Sequence, residues 1–161
     1  MDIERLDDML SSIEADFSQE YAVGVIPRDD AAYVPALVAG IQQLRPEAKV
    51  LVVKFPEQPG RTKGIALLRA VYVALGRTAP RRFDSMWEDH LQLLQRGYTH
   101  MVVDGAEGMD YACLNMVRRD KGTLPTFLVG RSLKLWRSLE KGGAFLTRRT
   151  YALRLGGEIS R

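Results

Sequence analysis

Lys49–Gly64 reads KVLVVKFPEQPGRTKG, a β-branched apolar run followed by a loop of proline, glycine and charge. Such a run, bounded by charge and proline, predicts a buried strand over Lys49–Phe55 and a turn into a helix after it. Aligned on the phosphate-loop pattern G-x-x-x-x-G-K-[ST], Gly60, Arg61 and Thr62 fall on the terminal glycine, lysine and threonine, and Phe55 falls where the first glycine stands. Arg61 keeps the charge of the lysine slot, but its planar fork does not place a point charge as an ammonium does. Phe55 brings a side chain to a tight turn, and Pro59 has no N–H to offer an anion. Lys63 is a substitute phosphate contact if the loop is reshaped, and otherwise an exposed lysine in the first helical turn.

Working outward, Ile65–Leu75 contains no helix breaker and is predicted as a helix packed under a sheet. Arg77–Arg82, RTAPRR, is a basic connector, and Asp84 or Ser85 caps the next helix, which ends at Gly97. Thr99–Asp104, THMVVD, is a second strand, and its end opens on the same edge of a parallel sheet as the loop after Phe55. Asp104 ends that strand as the magnesium-ligating aspartate of nucleotide triphosphatases does. If nucleotide binds, Thr62 and Asp104 are the magnesium ligands. The next residue is Gly105, which cannot act as a base, so hydrolysis needs Glu107 or Asp110 to reach in from the following loop.

Beyond it, Met109–Arg119 is predicted as a helix, Leu124–Val129 as a third strand, Leu133–Leu139 as a helix and Thr150–Leu155 as a last strand. Upstream, Ile3, Leu6, Met9, Leu10, Ile13 and Phe17 recur at helical spacing, so residues 2–18 form an amphipathic helix. Tyr21–Pro27 is an apolar extended piece stopped by Pro27. Asp29 or Asp30 then caps a helix through about Leu44. Strands alternating with helices imply right-handed crossovers and a parallel sheet, hence a three-layer α/β domain.

A chain of 161 residues, 46% hydrophobic and 27% charged, closes one substantial core. The expected organisation is a single domain over 1–161, with an N-terminal amphipathic helix in 1–19 and an α/β core in 20–156. No apolar run approaches a membrane span, and the acidic, amphipathic N-terminus is unlike a signal peptide, so a cytoplasmic protein with no membrane partner is expected. Cys113, His90 and His100 make no cluster with metal-ligand spacing, and Cys113 is a core position. Residues 1–60 carry 5 basic and 11 acidic side chains and residues 61–161 carry 18 and 9, so the halves are −6 and +9. A chain polarised in this way suits binding of a polyanion, or head-to-tail pairing of its own copies.

Taken together, VLVVKFPEQPGRTKGIALLRAVYVALG, THMVVDGAEGMDYACLNMVRR, PTFLVGRSLKLW and LTRRTYALRL resemble the AAA+ ATPases that assist transposition, of the TniB and MuB kind, over about residues 20–156. The resemblance implies a P-loop NTPase fold with the AAA+ core topology. It puts Arg131 in a sensor slot, and makes Arg148 and Arg149 a basic pair facing a neighbouring subunit's nucleotide. It also implies DNA binding by basic residues lining an oligomer, for which Arg77, Arg81, Arg82, Arg118, Arg119 and Lys121 are the candidates. The chain ends at Arg161, which leaves no room for the family's helical lid.

The departures, Phe55, Arg61, Gly105 and Arg131, fall where catalysis would occur. The expected function is therefore an AAA+-like pseudo-ATPase acting through oligomerisation and DNA or partner-protein binding, with no cofactor or only weakly held Mg-ATP. A weak Mg-ATP-binding ATPase and a nucleotide-independent protein-interaction module are the alternatives.

Overall fold

The computed structural model describes residues 2–15, 23–27, 33–82, 87–117, 124–130, 150–154 and 157–158. Along the chain these form α1 (Ile3–Ala15), β1 (Val23–Pro27), α2 (Tyr33–Leu44), β2 (Val50–Lys54), α3 (Lys63–Ala74), α4 (Trp87–Leu94), β3 (His100–Asp104), a 3-10 turn (Ala106–Gly108), α5 (Tyr111–Met116), β4 (Thr126–Gly130), β5 (Thr150–Arg154) and β6 (Gly157–Glu158). The sheet order is β2-β3-β4-β1-β5-β6. The pairs β2–β3, β3–β4, β4–β1 and β1–β5 are parallel, and the short β5–β6 pair is antiparallel. The sequence predicts the parallel strands; β6, only two residues long, is too short to leave a period in the sequence.

This order dictates the layers. The connection out of β1 must leap past β4 and β3 to reach β2, whereas the connections β2→β3 and β3→β4 step back in the opposite direction. With right-handed crossovers, opposite directions of travel lie on opposite faces of a sheet. Accordingly α2 packs on one face, where Leu6, Leu10 and Ile13 of α1 and Tyr33, Leu37 and Ile41 of α2 enclose Val102, Phe127 and Val129. On the other face, α3, α4 and α5 enclose Leu51, Val53, Met101, Val103 and Leu128. The alternation along each strand sends neighbours to opposite cores, and the central strand β4 is buried along its whole length.

The N-terminal helix answers its own periodicity: Leu6, Leu10 and Ile13 are fully buried, each contributing roughly 1.5–3 kcal/mol. A polar tie holds its far end. Glu14 Oε1 accepts from Arg45 Nε at 2.9 Å, its Oε2 lies 2.8 Å from His100 Nε2, and Arg45 Nη1 donates to Asp7 Oδ1 at 3.1 Å. The hydrogen bond to Glu14, more than any other influence, holds the Arg45 guanidinium above its ordinary range.

Several expectations lie outside the described residues: the caps at Asp29, Asp30, Asp84 and Ser85, the helix Leu133–Leu139, and Arg118, Arg119, Lys121, Arg131, Arg148 and Arg149.

Candidate functional site

Strands β2 and β3 are neighbours in register Lys54↔Asp104, so their carboxyl ends do open side by side. The Phe55 N–H donates to the Asp104 carbonyl at 2.8 Å, extending the ladder one residue past β2. Phe55 is buried in the α3–α5 core, so the residue standing in the first glycine slot is a core anchor at the base of the loop.

The rest of the loop is open. Gly60 takes a left-handed φ of +78°, which glycine adopts without strain, and a Cβ there would meet nothing within 4 Å. Gly60, Arg61 and Thr62 are exposed. Thr62 is the N-cap residue of α3, and its side chain makes no capping hydrogen bond. Lys63 is the first helical residue and is half-buried. Among the described residues, no hydrogen bond or ion pair joins Arg61, Thr62 or Lys63 to Asp104. A cavity of about 320 Å³ lies beside this loop, lined by Lys54, Pro56, Gln58 and Pro59 on one side and Ala66, Arg69, Ala70 and Val73 of α3 on the other. It lies between the carboxyl end of β2 and α3, and its lining does not include Gly60, Arg61 or Thr62.

The turn after β3 is built differently. Gly105 also has φ +78°, but a Cβ there would stand 3.1 Å from the Phe55 carbonyl oxygen. Backbone sign and crowding both exclude a side chain, so the position where a catalytic glutamate is expected accommodates only glycine without strain. Two residues on, the backbone of Glu107 crosses the end of β4: a Cβ on Gly130 would lie 2.8 Å from the Glu107 amide nitrogen and would also meet its carboxylate. Glu107 is thereby brought to the carboxyl end of β4, beside Pro27 of β1 in the register Pro27↔Gly130. Asp110, the other candidate base, is the N-cap of α5 and accepts the Cys113 N–H at 3.0 Å. Cys113 is buried, and burial pushes its thiol up to about 12. Arg77, Arg81 and Arg82 are exposed, and the Arg81 carbonyl accepts from Arg69 Nη2 at 3.5 Å, which leans the connector on α3.

The strand order fixes where the sheet's natural crevice lies. Ligands of open parallel sheets bind at the carboxyl ends where the order reverses, and here it reverses at β1, flanked by β4 and β5. The segment leaving β1 at that point is 28–32, RDDAA, which contains no glycine and no Lys-Ser/Thr pair. The loop with Gly60, Arg61 and Thr62 follows β2 instead, three strand spacings from β1, or about 14 Å. The chain marks Tyr21–Pro27 as an extended piece leading into a helical stripe, but not as the strand at the reversal, because its neighbours in the sheet are not written in local sequence.

The fold is similar to that of Cdc6p from Pyrobaculum aerophilum, whose crystal structure superposes with a TM-score of 0.51 at 11% sequence identity, covering 92% of this chain and 44% of that one. This chain therefore spans less than half the length of that protein. The sequence matches no protein-family model and no curated protein. The similarity supports a three-layer α/β fold with a parallel sheet.

Proposed function

We propose that this chain is an AAA+-like domain that has lost its phosphate machinery and works by binding: by self-association and by contact with DNA or a partner protein, in the manner of the transposition-helper ATPases its segments resemble. One observation carries the reading. At β1, where the strand order reverses, the sequence that follows, RDDAA, contains neither glycine nor lysine, so the residue types that make a phosphate loop are missing after the strand that would carry one. The crowding at Gly105, where a Cβ would stand 3.1 Å from the Phe55 carbonyl oxygen, supports the same conclusion, since a glutamate at this position would be strained. Exposed Arg77, Arg81 and Arg82 supply phosphate contacts of the kind that hold a duplex without reading its bases.

Thermal unfolding with and without 5 mM Mg-ATP tests the reading. A ligand at 100 times its dissociation constant stabilises by about 2.7 kcal/mol, a shift of several degrees. No shift is expected, and a reproducible rise would overturn the loss of nucleotide binding. Duplex DNA should bind at low salt with an affinity that falls steeply as salt increases. Sedimentation at several concentrations tests self-association.

The placement of Glu107 at the end of β4, beside β1, favours a second reading, a weak Mg-ATPase with Glu107 as the base. That reading requires measurable hydrolysis that Glu107→Gln abolishes and Asp110→Asn does not.

A further inference from the structure

We infer that the outer edge of β2 and the groove beside it form a docking site for an extended, acidic segment of a partner protein, which adds to the sheet as a further strand. This takes up the partner-binding part of the reading above, and stands whether or not DNA or nucleotide binds.

Among the described residues, β2 pairs on one side only. The ladder to β3 uses its odd-numbered residues: the Lys49 carbonyl accepts from Thr99 N–H at 2.9 Å, and Phe55 N–H donates to Asp104 at 2.8 Å. In a parallel ladder the alternate residues face the other way. The N–H and C=O groups of Val50, Val52 and Lys54 therefore point away from the sheet. Edge strands of soluble proteins are usually protected by bulges, prolines, charged side chains or cover. Here β2 is a regular five-residue strand whose one charge, Lys54, stands at its carboxyl end, and Val52 is 39% exposed.

The cavity of about 320 Å³ opens at the carboxyl end of this edge, at Lys54, where Pro56 and Pro59 of the following loop and Ala66, Ala70 and Val73 of α3 give it an apolar lining. Val73 is 77% exposed, so the apolar surface continues out of the groove. A free strand edge next to apolar recesses is the arrangement that captures peptides by strand addition, the backbone giving affinity and alternate side chains giving selectivity.

Charge selects the occupant. Lys54 and Arg69 line the groove and no acidic residue does. Over residues 50–82 the basic side chains are Lys54, Arg61, Lys63, Arg69, Arg77, Arg81 and Arg82, against Glu57 alone. Nucleic acid fits less well: a phosphate satisfies donors, whereas this edge also presents carbonyl oxygens that need N–H groups opposite them. An acidic polypeptide supplies both.

The test uses the full chain and a fluorescein-labelled peptide, acetyl-(Glu-Val)4-amide, followed by fluorescence anisotropy at 50 mM salt. Saturable binding is expected, with at least tenfold weaker binding of (Lys-Val)4 and of the same acidic peptide N-methylated throughout, which keeps its charge but has no N–H to donate to the strand carbonyls. Val52→Pro removes an outward N–H without touching the ladder to β3, and Lys54→Glu with Arg69→Glu reverses the lining charge; each is expected to weaken binding at least tenfold. Equal binding of the methylated or the basic peptide overturns the proposal. So does displacement of the acidic peptide by a 20-bp duplex whose own affinity falls in Val52→Pro, because the edge would then belong to nucleic acid. Absence of duplex binding in the presence of normal peptide binding breaks the DNA part of the proposed function and leaves this site intact.

Discussion

Gly60 and Gly105 have the same φ, +78°, and lie in the strand-to-helix connections of adjacent strands, yet their surroundings have nothing in common. Gly60 sits in an exposed loop after the edge strand, with open space where a Cβ would go. Gly105 is pressed against the Phe55 carbonyl in a turn that carries Glu107 across the end of β4. The first matches the letters of a phosphate loop; the second occupies built structure. A motif match on a free edge costs the fold almost nothing to gain or lose, whereas a glycine wedged between strand ends is held there by its neighbours.

The largest difference should appear at high pH, through Cys113 in the helix after the β3 turn. Its thiol is raised from 9.0 to about 12 by burial, so the folded state holds a proton that the unfolded state releases. That contribution is complete below pH 9 and is lost as pH rises from 9 to 12, at up to about 1.4 kcal/mol per pH unit. Urea midpoints at pH 8, 9.5 and 10.5 should fall more steeply for the native chain than for Cys113→Ala; parallel slopes would show that the thiol is accessible.

Next in size, Gly130→Ala drives a methyl into the Glu107 backbone and should cost about 2–3 kcal/mol by urea unfolding. The paired glycines separate the regions more finely. Gly105→Ala should cost about 2 kcal/mol and Gly60→Ala about 1 kcal/mol, since both take the left-handed penalty and only Gly105 also meets the Phe55 oxygen. Asparagine, which tolerates this conformation, should restore much of the loss at 60 and little at 105. Equal costs at the two positions would remove the distinction. Smallest of all, Arg61→Ala and Thr62→Ala should each change stability by less than about 0.5 kcal/mol, because both are exposed and Thr62 makes no cap bond.

Much of the architecture was legible in the chain. The apolar stripe of α1, the β-branched runs of β2 and β3 and the helix between Lys63 and Ala74 all carry their period openly. Boundaries moved by a residue or two, as at Lys63–Ala74 against the expected Ile65–Leu75, because helix ends are settled by caps and contacts and not by periodicity. The site was harder. Asp104 and Glu107 stand out by type and position, and Glu107 lies at the end of β4. The phosphate-like loop stands out by its letters and by following a strand, neither of which says whether that strand is central or at an edge.

By itself, then, the sequence determined the local elements, the alternation that makes a parallel sheet, and the charge imbalance, because each is written in neighbouring residues through periodicity and composition. Only the tertiary structure decided the strand order β2-β3-β4-β1-β5-β6. That order placed β1 at the reversal, put the Gly60 loop on the rim and left the outer edge of β2 unpaired among the described residues. The reason is physical: which strands become neighbours is set by crossover handedness and by the packing of two cores on opposite faces, interactions between residues far apart in the chain that leave no local mark on it.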